Sequence, residues 1–173
     1  MSKAFTRESD DDSPRRLRAR QSSGLPPGAV NYLTEEGARR LRAELDELLR
    51  LERPRLSAEI AAGAPAAALR LAEAEGRIET LQAILRGATI VPALEESLEE
   101  VRLGATVAVR QAPSGSEVRY RVVGVDEAGL EPHWVSWRSE IGAALLHATV
   151  GQKIILAGPN GGESVEIVRI TNV

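Results

Sequence analysis

TEEGARRLRAELDELLRLERPRLSAEIAAGAPAAALRLAEAEGRIETLQAILR, running from Thr34 to Arg86, decides the fold. Ala38, Leu41, Leu45 and Leu48 recur at three- and four-residue steps in its first half, and Leu71, Ala74, Ile78, Leu81 and Leu85 do so in its second. Steps of that size line one face of an α-helix, so each half carries an apolar stripe that can bury the other. Thr34 suits an N-cap, because its side-chain oxygen can accept an orphan backbone N–H while Glu35 and Glu36 face the positive end of the helix dipole. Between the halves, Gly63 can take the left-handed conformation that ends a helix, and Pro65 opposes continuation but suits a new first turn. An antiparallel helical hairpin is therefore expected, closing at Ala62, Gly63, Ala64 and Pro65. Gly87 is expected to end the second helix as Gly63 ends the first. Pro54 removes a backbone hydrogen bond and is expected to bend the first arm near Arg53.

On the N-terminal side of the hairpin, residues 1–30 join the acidic run Asp10 to Asp12 to Arg15, Arg16, Arg18 and Arg20, then to Ser22-Ser23-Gly24 and Pro26-Pro27-Gly28. Almost nothing there can be buried, so ordering it would find no apolar return, and it reads as a disordered tail. The hairpin domain spans 31–90. Residues 91–102, with the acidic segment Glu95 to Glu100, read as a linker or brief helix. From there the apolar period changes from helical to alternating. Thr106 to Val109, Val118 to Val123 and Trp134 to Trp137 read as strands, the first two joined at Pro113-Ser114-Gly115. Ile141 to His147 reads as a short helix, and Lys153 to Leu156 with Glu163 to Ile170 as a hairpin around Gly158 to Gly162. The expected class is α+β, a helical hairpin followed by a small β-rich domain over 103–173.

Composition narrows the chemistry. The 173 residues contain 43% hydrophobic but only 3% aromatic side chains. A two-helix coil needs Leu and Ala rather than aromatics, so this balance agrees with the hairpin. There is no Cys, which removes disulfides, thiol nucleophiles and zinc ribbons together. A net charge of −3 names no nucleic-acid partner, because the Arg-rich segments are matched by Glu-rich ones. No run approaches the roughly 20 apolar residues that cross a bilayer, and Met1 to Leu25 lacks a secretory core. A cytoplasmic protein without membrane partners is expected.

No catalytic constellation emerges. The two histidines are His133, in a loop after Pro132, and His147, at the end of the short helix. Neither has a partnered nucleophile. There is no P-loop, Rossmann glycine pattern or histidine pair at metal spacing. Asp126-Glu127, beside a strand end, reads as a turn rather than a metal site. The expectation is a protein that is not an enzyme and holds no cofactor.

Linked motifs point further. Asn31-Tyr-Leu-Thr34-Glu-Glu-Gly37, Leu41-Arg-Ala-Glu44-Leu45, Glu52-Arg53-Pro54 and Glu75-Gly76-Arg77-Ile78 lie in the arms. Leu103-Gly-Ala-Thr106, Tyr120-Arg-Val-Val-Gly124, Asp126-Glu127-Ala128 and Pro159 through Gly162 follow in order. This arrangement resembles the Gre transcript-cleavage factors, GreA and especially GreB, over about Leu25 to Ile170. The resemblance implies that the β domain is FKBP-like and docks on the rim of the RNA polymerase secondary channel, while the coil enters the channel. Nucleic acid, DNA included, would be met only through the elongation complex, and a monomer is expected. By the same resemblance the polymerase-contacting loop is Ser136, Trp137, Arg138, Ser139 and Glu140, where Arg138 replaces an acid or amide and Glu140 replaces Pro. Reversing a charge at an interface changes what that surface can accept.

The resemblance breaks at the tip. The family carries acidic residues there that help hold a magnesium ion, whose oxygen ligands must partly neutralise it. The corresponding stretch here, Ala61 to Arg70, has no acid, and Glu59 and Glu73 lie down the arms. The hairpin is also shorter than the family's by roughly ten residues, which at about 1.5 Å per residue withdraws the tip by about 8 Å. Ligands sit about 2 Å from such an ion, so side-chain motion does not close the gap. A non-cleaving regulator is the leading expectation, as in the Gre-like regulator of nucleoside diphosphate kinase. The alternatives are a GreB-type factor in which Glu59 or Glu73 substitutes for the tip acids, a prolyl isomerase suggested by the fold, and a helical docking protein.

Overall fold

A computed structural model describes residues 25–26, 28–93, 99–112, 114–158 and 161–172. Most of the tail, residues 94–98 of the linker and the middle of the Gly158 to Gly162 turn lie outside them. The chain is α+β. A short strand β1 (Asn31–Thr34) leads into helix α1 (Glu35–Glu47), a π-helical segment (Leu48–Glu52) and α2 (Arg53–Ala61). Helix α3 (Ala67–Gly87) returns antiparallel and runs into β2 (Ala88–Val91).

Thr34 caps α1 as expected, its Oγ1 accepting from the Gly37 N–H at 3.0 Å. Gly63 has φ +89°, the left-handed conformation that closes the first arm. Gly87 behaves differently from the expectation. It is not left-handed; α3 continues through it and ends at an extended Ala88, with φ −84° and ψ 143°. The helix stops there because Ala88 enters a strand, β2, which pairs in parallel with β1 from Asn31↔Ala88 to Thr34↔Val91. Parallel pairing needs a long crossover, and the whole hairpin supplies it.

Pro54 has its effect one turn early. The Arg53 N–H bonds to the Leu48 carbonyl, five residues back, so the expected irregularity takes the form of a π turn just ahead of a proline that sits in the first turn of α2. There the missing N–H leaves no broken bond. The two arms meet through two apolar clusters. Leu33, Ala38, Leu41 and Leu81 are buried at the base, and Leu56, Ala67 and Ala74 nearer the tip.

The second half forms one five-stranded sheet in the order β5-β4-β3-β7-β6. Its strands are β3 (Thr106–Gln111), β4 (Glu117–Val123), β5 (Trp134–Ser136), β6 (Lys153–Gly158) and β7 (Gly161–Thr171). Among the described residues of this sheet only β4 and β5 pair in parallel. A bulge shifts the β3–β7 register between Ala108 and Val109. Val107, Val109, Val122, Val165 and Ile167 point to one face, where helix α4 (Glu140–Leu145) covers them with Leu145. The alternating pattern predicts this, since period-two residues share a sheet face.

Candidate functional site

Three places bear on function: the loop from Ser136 to Glu140, the hairpin tip, and the junction that sets one against the other.

The loop is tightly built. Ser136 ends β5, and Ser139 caps α4 by accepting from the Gly142 N–H at 3.1 Å while donating its hydroxyl to the Ser136 carbonyl at 2.7 Å. The Trp137 N–H bonds to the Val123 carbonyl at 2.9 Å, returning the loop to β4. Gly142 has to lack a side chain, because a Cβ there would lie 1.9 Å from the Ser136 carbonyl oxygen. Trp137 packs against the sheet core and meets the Tyr32 ring edge-on at 6.4 Å between centroids. It is therefore part of the joint with β1 rather than a free aromatic anchor. Arg138 is exposed and lies over the Trp137 ring at 5.9 Å. Glu140 is exposed in the first turn of α4. What the loop offers outward is thus one cation and one anion on a rigid frame.

The tip residues Ala62, Gly63, Ala64 and Pro65 are all exposed. Backbone bonds close them, with the Gly63 N–H on the Ile60 carbonyl and the Ala64 N–H on the Glu59 carbonyl, each at 3.0 Å. Glu59, the nearest acid, is engaged through both oxygens: Oε1 accepts from Arg55 at 2.7 Å and Oε2 from Arg70 at 2.5 Å. A carboxylate so neutralised is a poor ligand for a hard cation, which needs uncompensated oxygen charge. Among the described residues no group of three or more His, Asp, Glu or Cys side chains could hold a metal ion, and no helix is long and apolar enough to cross a membrane.

The junction is the feature that sequence reading missed. Asp126 and Glu127 do lie in a turn, a 3-10 turn over Val125–Glu127, but their carboxylates reach back to the hairpin base. Glu127 is fully buried. Its Oε2 accepts from the backbone N–H of Thr34 at 2.9 Å and of Gly124 at 2.7 Å, and its Oε1 accepts from the Thr34 hydroxyl. Gly37 and Gly124 make room: a Cβ on either would meet the Glu127 carboxylate within 2.6 Å. Asp126 accepts from Asn31 Nδ2 at 2.7 Å. Burial pushes the Asp126 carboxyl above its usual range, against the Asn31 hydrogen bond and the charge of Arg77. Further out, Arg40 bonds to Glu36 at 2.7 Å and to Glu131 at 2.5 Å. Its guanidinium also stacks 5.1 Å from the Trp134 ring centroid. Hydrogen bonds from Arg39 and then Arg40 hold the Glu36 carboxyl below its usual range. The two Gly residues flanking one carboxylate were the available signal, but their meaning depends on a contact between positions 93 residues apart.

His147 lies just past α4 with φ +66°, its Nδ1 3.7 Å from Glu100. His133 has φ +64° and meets the Tyr120 ring at 5.7 Å. Among the described residues neither is hydrogen-bonded to a Ser, Thr or Tyr hydroxyl.

Residues 95–172 match the family described as "Transcription elongation factor, GreA/GreB, C-term". The protein named transcription elongation factor GreA in Chloroflexus aggregans is 36% identical over 150 residues, covering 80% of this chain and 96% of its own. A GreA of Alkalilimnicola ehrlichii is 35% identical, covering 80% of this chain and 95% of its own. Among solved structures, the GreA factor homolog 1 (Gfh1) protein of Thermus thermophilus shares 29% identity, with a TM-score of 0.40 over 83% of this chain and all of that one. Both of these sequence relatives carry the GreA name, so the lean toward GreB finds no support in them.

Proposed function

Because this chain belongs to the GreA/GreB family of transcription elongation factors, we propose that it is a non-cleaving member that docks on RNA polymerase and obstructs the secondary channel. In this reading the β domain binds the channel rim through the loop from Ser136 to Glu140, and the hairpin enters the channel without delivering a metal ligand. It acts as a binding protein and not as an enzyme, and it meets nucleic acid through the elongation complex.

The observation that carries the reading is the tip. No residue from Ala61 to Ala72 is acidic, and the nearest carboxylate, Glu59, spends both oxygens on Arg55 and Arg70. Positioning a magnesium ion for hydrolysis requires oxygen ligands whose charge is not already matched. The loop supports docking through its rigidity: a surface pre-organised by Ser139, Gly142 and the Trp137 N–H loses little entropy on binding.

The test is a titration into a backtracked elongation complex that holds a low, fixed amount of an intact cleavage-stimulating Gre factor, with RNA cleavage as readout. Dose-dependent loss of cleavage is the expected result. Cleavage that rises and persists without the intact factor overturns the account of the tip. No change at large excess overturns docking. If Glu59→Ala abolished any intrinsic cleavage, the GreB-type alternative would replace this one.

A further inference from the structure

The sheet has an outer face that helix α4 does not cover, and cations outnumber acids on it: Glu117 and Glu166 share the face, both opposite Arg110 on β3. Arg119 on β4 and Arg169 on β7 both pair with Ala108 on β3, so the three side chains project from the same face. Arg121, one step along, pairs with Thr106 on one side and with Trp134 on the other. Arg119 and Arg169 are exposed, and neither touches a carboxylate among the described residues. Arg121 makes no ion pair among the described residues, although the charges of Glu127 and Glu36 act on it; it donates to the Gly104 carbonyl at 3.4 Å and stacks 4.8 Å from the Trp134 ring centroid. Among the described residues most other arginines are paired with glutamates, as Arg39, Arg55, Arg77 and Arg110 are.

We propose that this outer face binds the sugar-phosphate backbone of single-stranded nucleic acid, with Arg119 and Arg169 as a two-pronged phosphate clamp across Ala108 and Arg121 as a third contact. Two strand spacings separate the clamp arginines, about 9.6 Å, with the small, buried Ala108 between them. A guanidinium fork matches phosphate oxygens bidentately and is weakly hydrated, so it releases little on binding. The chain as a whole carries a net charge of −3, so two exposed arginines without an ion pair, with Arg121 beside them, form a local exception that a polyanion can find. The choice of nucleic acid over an acidic protein rests on the elongation-factor reading, which puts RNA and unpaired DNA within reach. This contact is direct, in addition to whatever the elongation complex mediates.

The experiment uses the full chain without polymerase, so a failure of polymerase docking leaves it untouched. Fluorescently labelled poly(U) and poly(dT) oligonucleotides of equal length are titrated and followed by anisotropy at several salt concentrations. Three phosphate contacts give a slope of log K against log salt of about −2, or a loss of about fifteenfold in affinity between about 50 and 200 mM salt. Arg119→Gln with Arg169→Gln is expected to bring the slope to about −0.7. Arg42→Gln with Arg86→Gln removes the same charge from exposed positions on the hairpin and is expected to change the slope little. Equal binding of the two oligonucleotides assigns recognition to the shared backbone, and a preference names the strand. No salt-dependent binding, or equal losses in the two double variants, overturns the proposal. So does poly-glutamate binding that depends on Arg119 and Arg169 when neither oligonucleotide binds, which would make the partner an acidic protein.

Discussion

Glu127 and Thr34 are joined by two hydrogen bonds: the carboxylate accepts both the backbone N–H and the hydroxyl of the residue that caps the first helix. One side chain thereby fixes where the hairpin begins relative to the β domain. The Thr34 hydroxyl donates to Glu127 while accepting from the Gly37 N–H, so the helix cap and the interdomain contact share an atom. Any function that requires the tip and the loop to engage one large partner together depends on that joint.

Glu127→Ala is expected to cost about 3 kcal/mol, because it leaves two buried backbone N–H groups and a hydroxyl without an acceptor. Glu127→Gln keeps one acceptor oxygen and is expected to cost about 1 kcal/mol. Urea denaturation measures both, and small-angle scattering reports whether the hairpin loses its fixed direction. Equal effects from the two variants would mean that the one oxygen kept in Glu127→Gln contributes nothing.

Gly124→Ala tests the same joint from its other side. A Cβ there would lie 1.9 Å from the Tyr32 carbonyl oxygen and 2.6 Å from Glu127 Oε2, a backbone clash that cannot be relieved by a rotamer change. A loss of about 3 kcal/mol or failure to fold is expected, at or above the upper end of overpacking penalties. Gly129→Ala is the contrasting case: its φ is +82° but nothing lies within 4 Å, so about 1 kcal/mol of conformational strain is all that should appear.

Asp126 makes stability depend on pH. Burial raises its carboxyl above the ordinary 3.8, so the folded chain holds that proton more tightly than the unfolded one. This contribution is fully present below 3.8 and is lost as pH rises through the raised folded value. Asp126→Asn keeps an acceptor for Asn31 and removes the buried charge, so it is expected to stabilise the protein at neutral pH, with the gain shrinking toward pH 4. Thermal unfolding across that range decides it. A variant less stable than the parent at pH 7 would mean that the attraction to Arg77 outweighs desolvation.

Leu56→Ala probes the tip. Leu56 is fully buried against Ala67 and Ala74, and its truncation is expected to cost about 2 to 4 kcal/mol. Hydrogen exchange should then quicken in α2 and the start of α3, with the five-stranded sheet unaffected. Uniform quickening across both parts would show that hairpin and sheet unfold as one unit.

Much of the architecture was legible in the linear chain because its causes are local. Thr34, Gly63 and the spacing of Leu41, Leu45, Leu71 and Ile78 specify caps, a turn and two stripes from neighbouring residues alone. The alternation through Thr106 to Val109 and Val118 to Val123 specifies strands with one buried face in the same way. Even the tip's lack of acids is visible in Ala61 to Ala72. Pro54 was legible as a disturbance but not as a π turn, since which carbonyl the Arg53 N–H selects depends on how α2 must rotate to bury Leu56.

What the tertiary structure decided involves pairs distant in sequence. Gly87 looked like a helix stop, but β2 ends the helix by pairing with β1, a partner on the far side of the hairpin. Asp126 and Glu127 looked like turn residues, and only their placement against Asn31 and Thr34 turns one carboxylate into a buried joint. Arg119 and Arg169 became neighbours because β3 lies between their strands. Helix and strand periods come from backbone geometry and are written in every few residues, whereas these contacts arise only once the chain has closed on itself, when burial and strand order select which side chains meet.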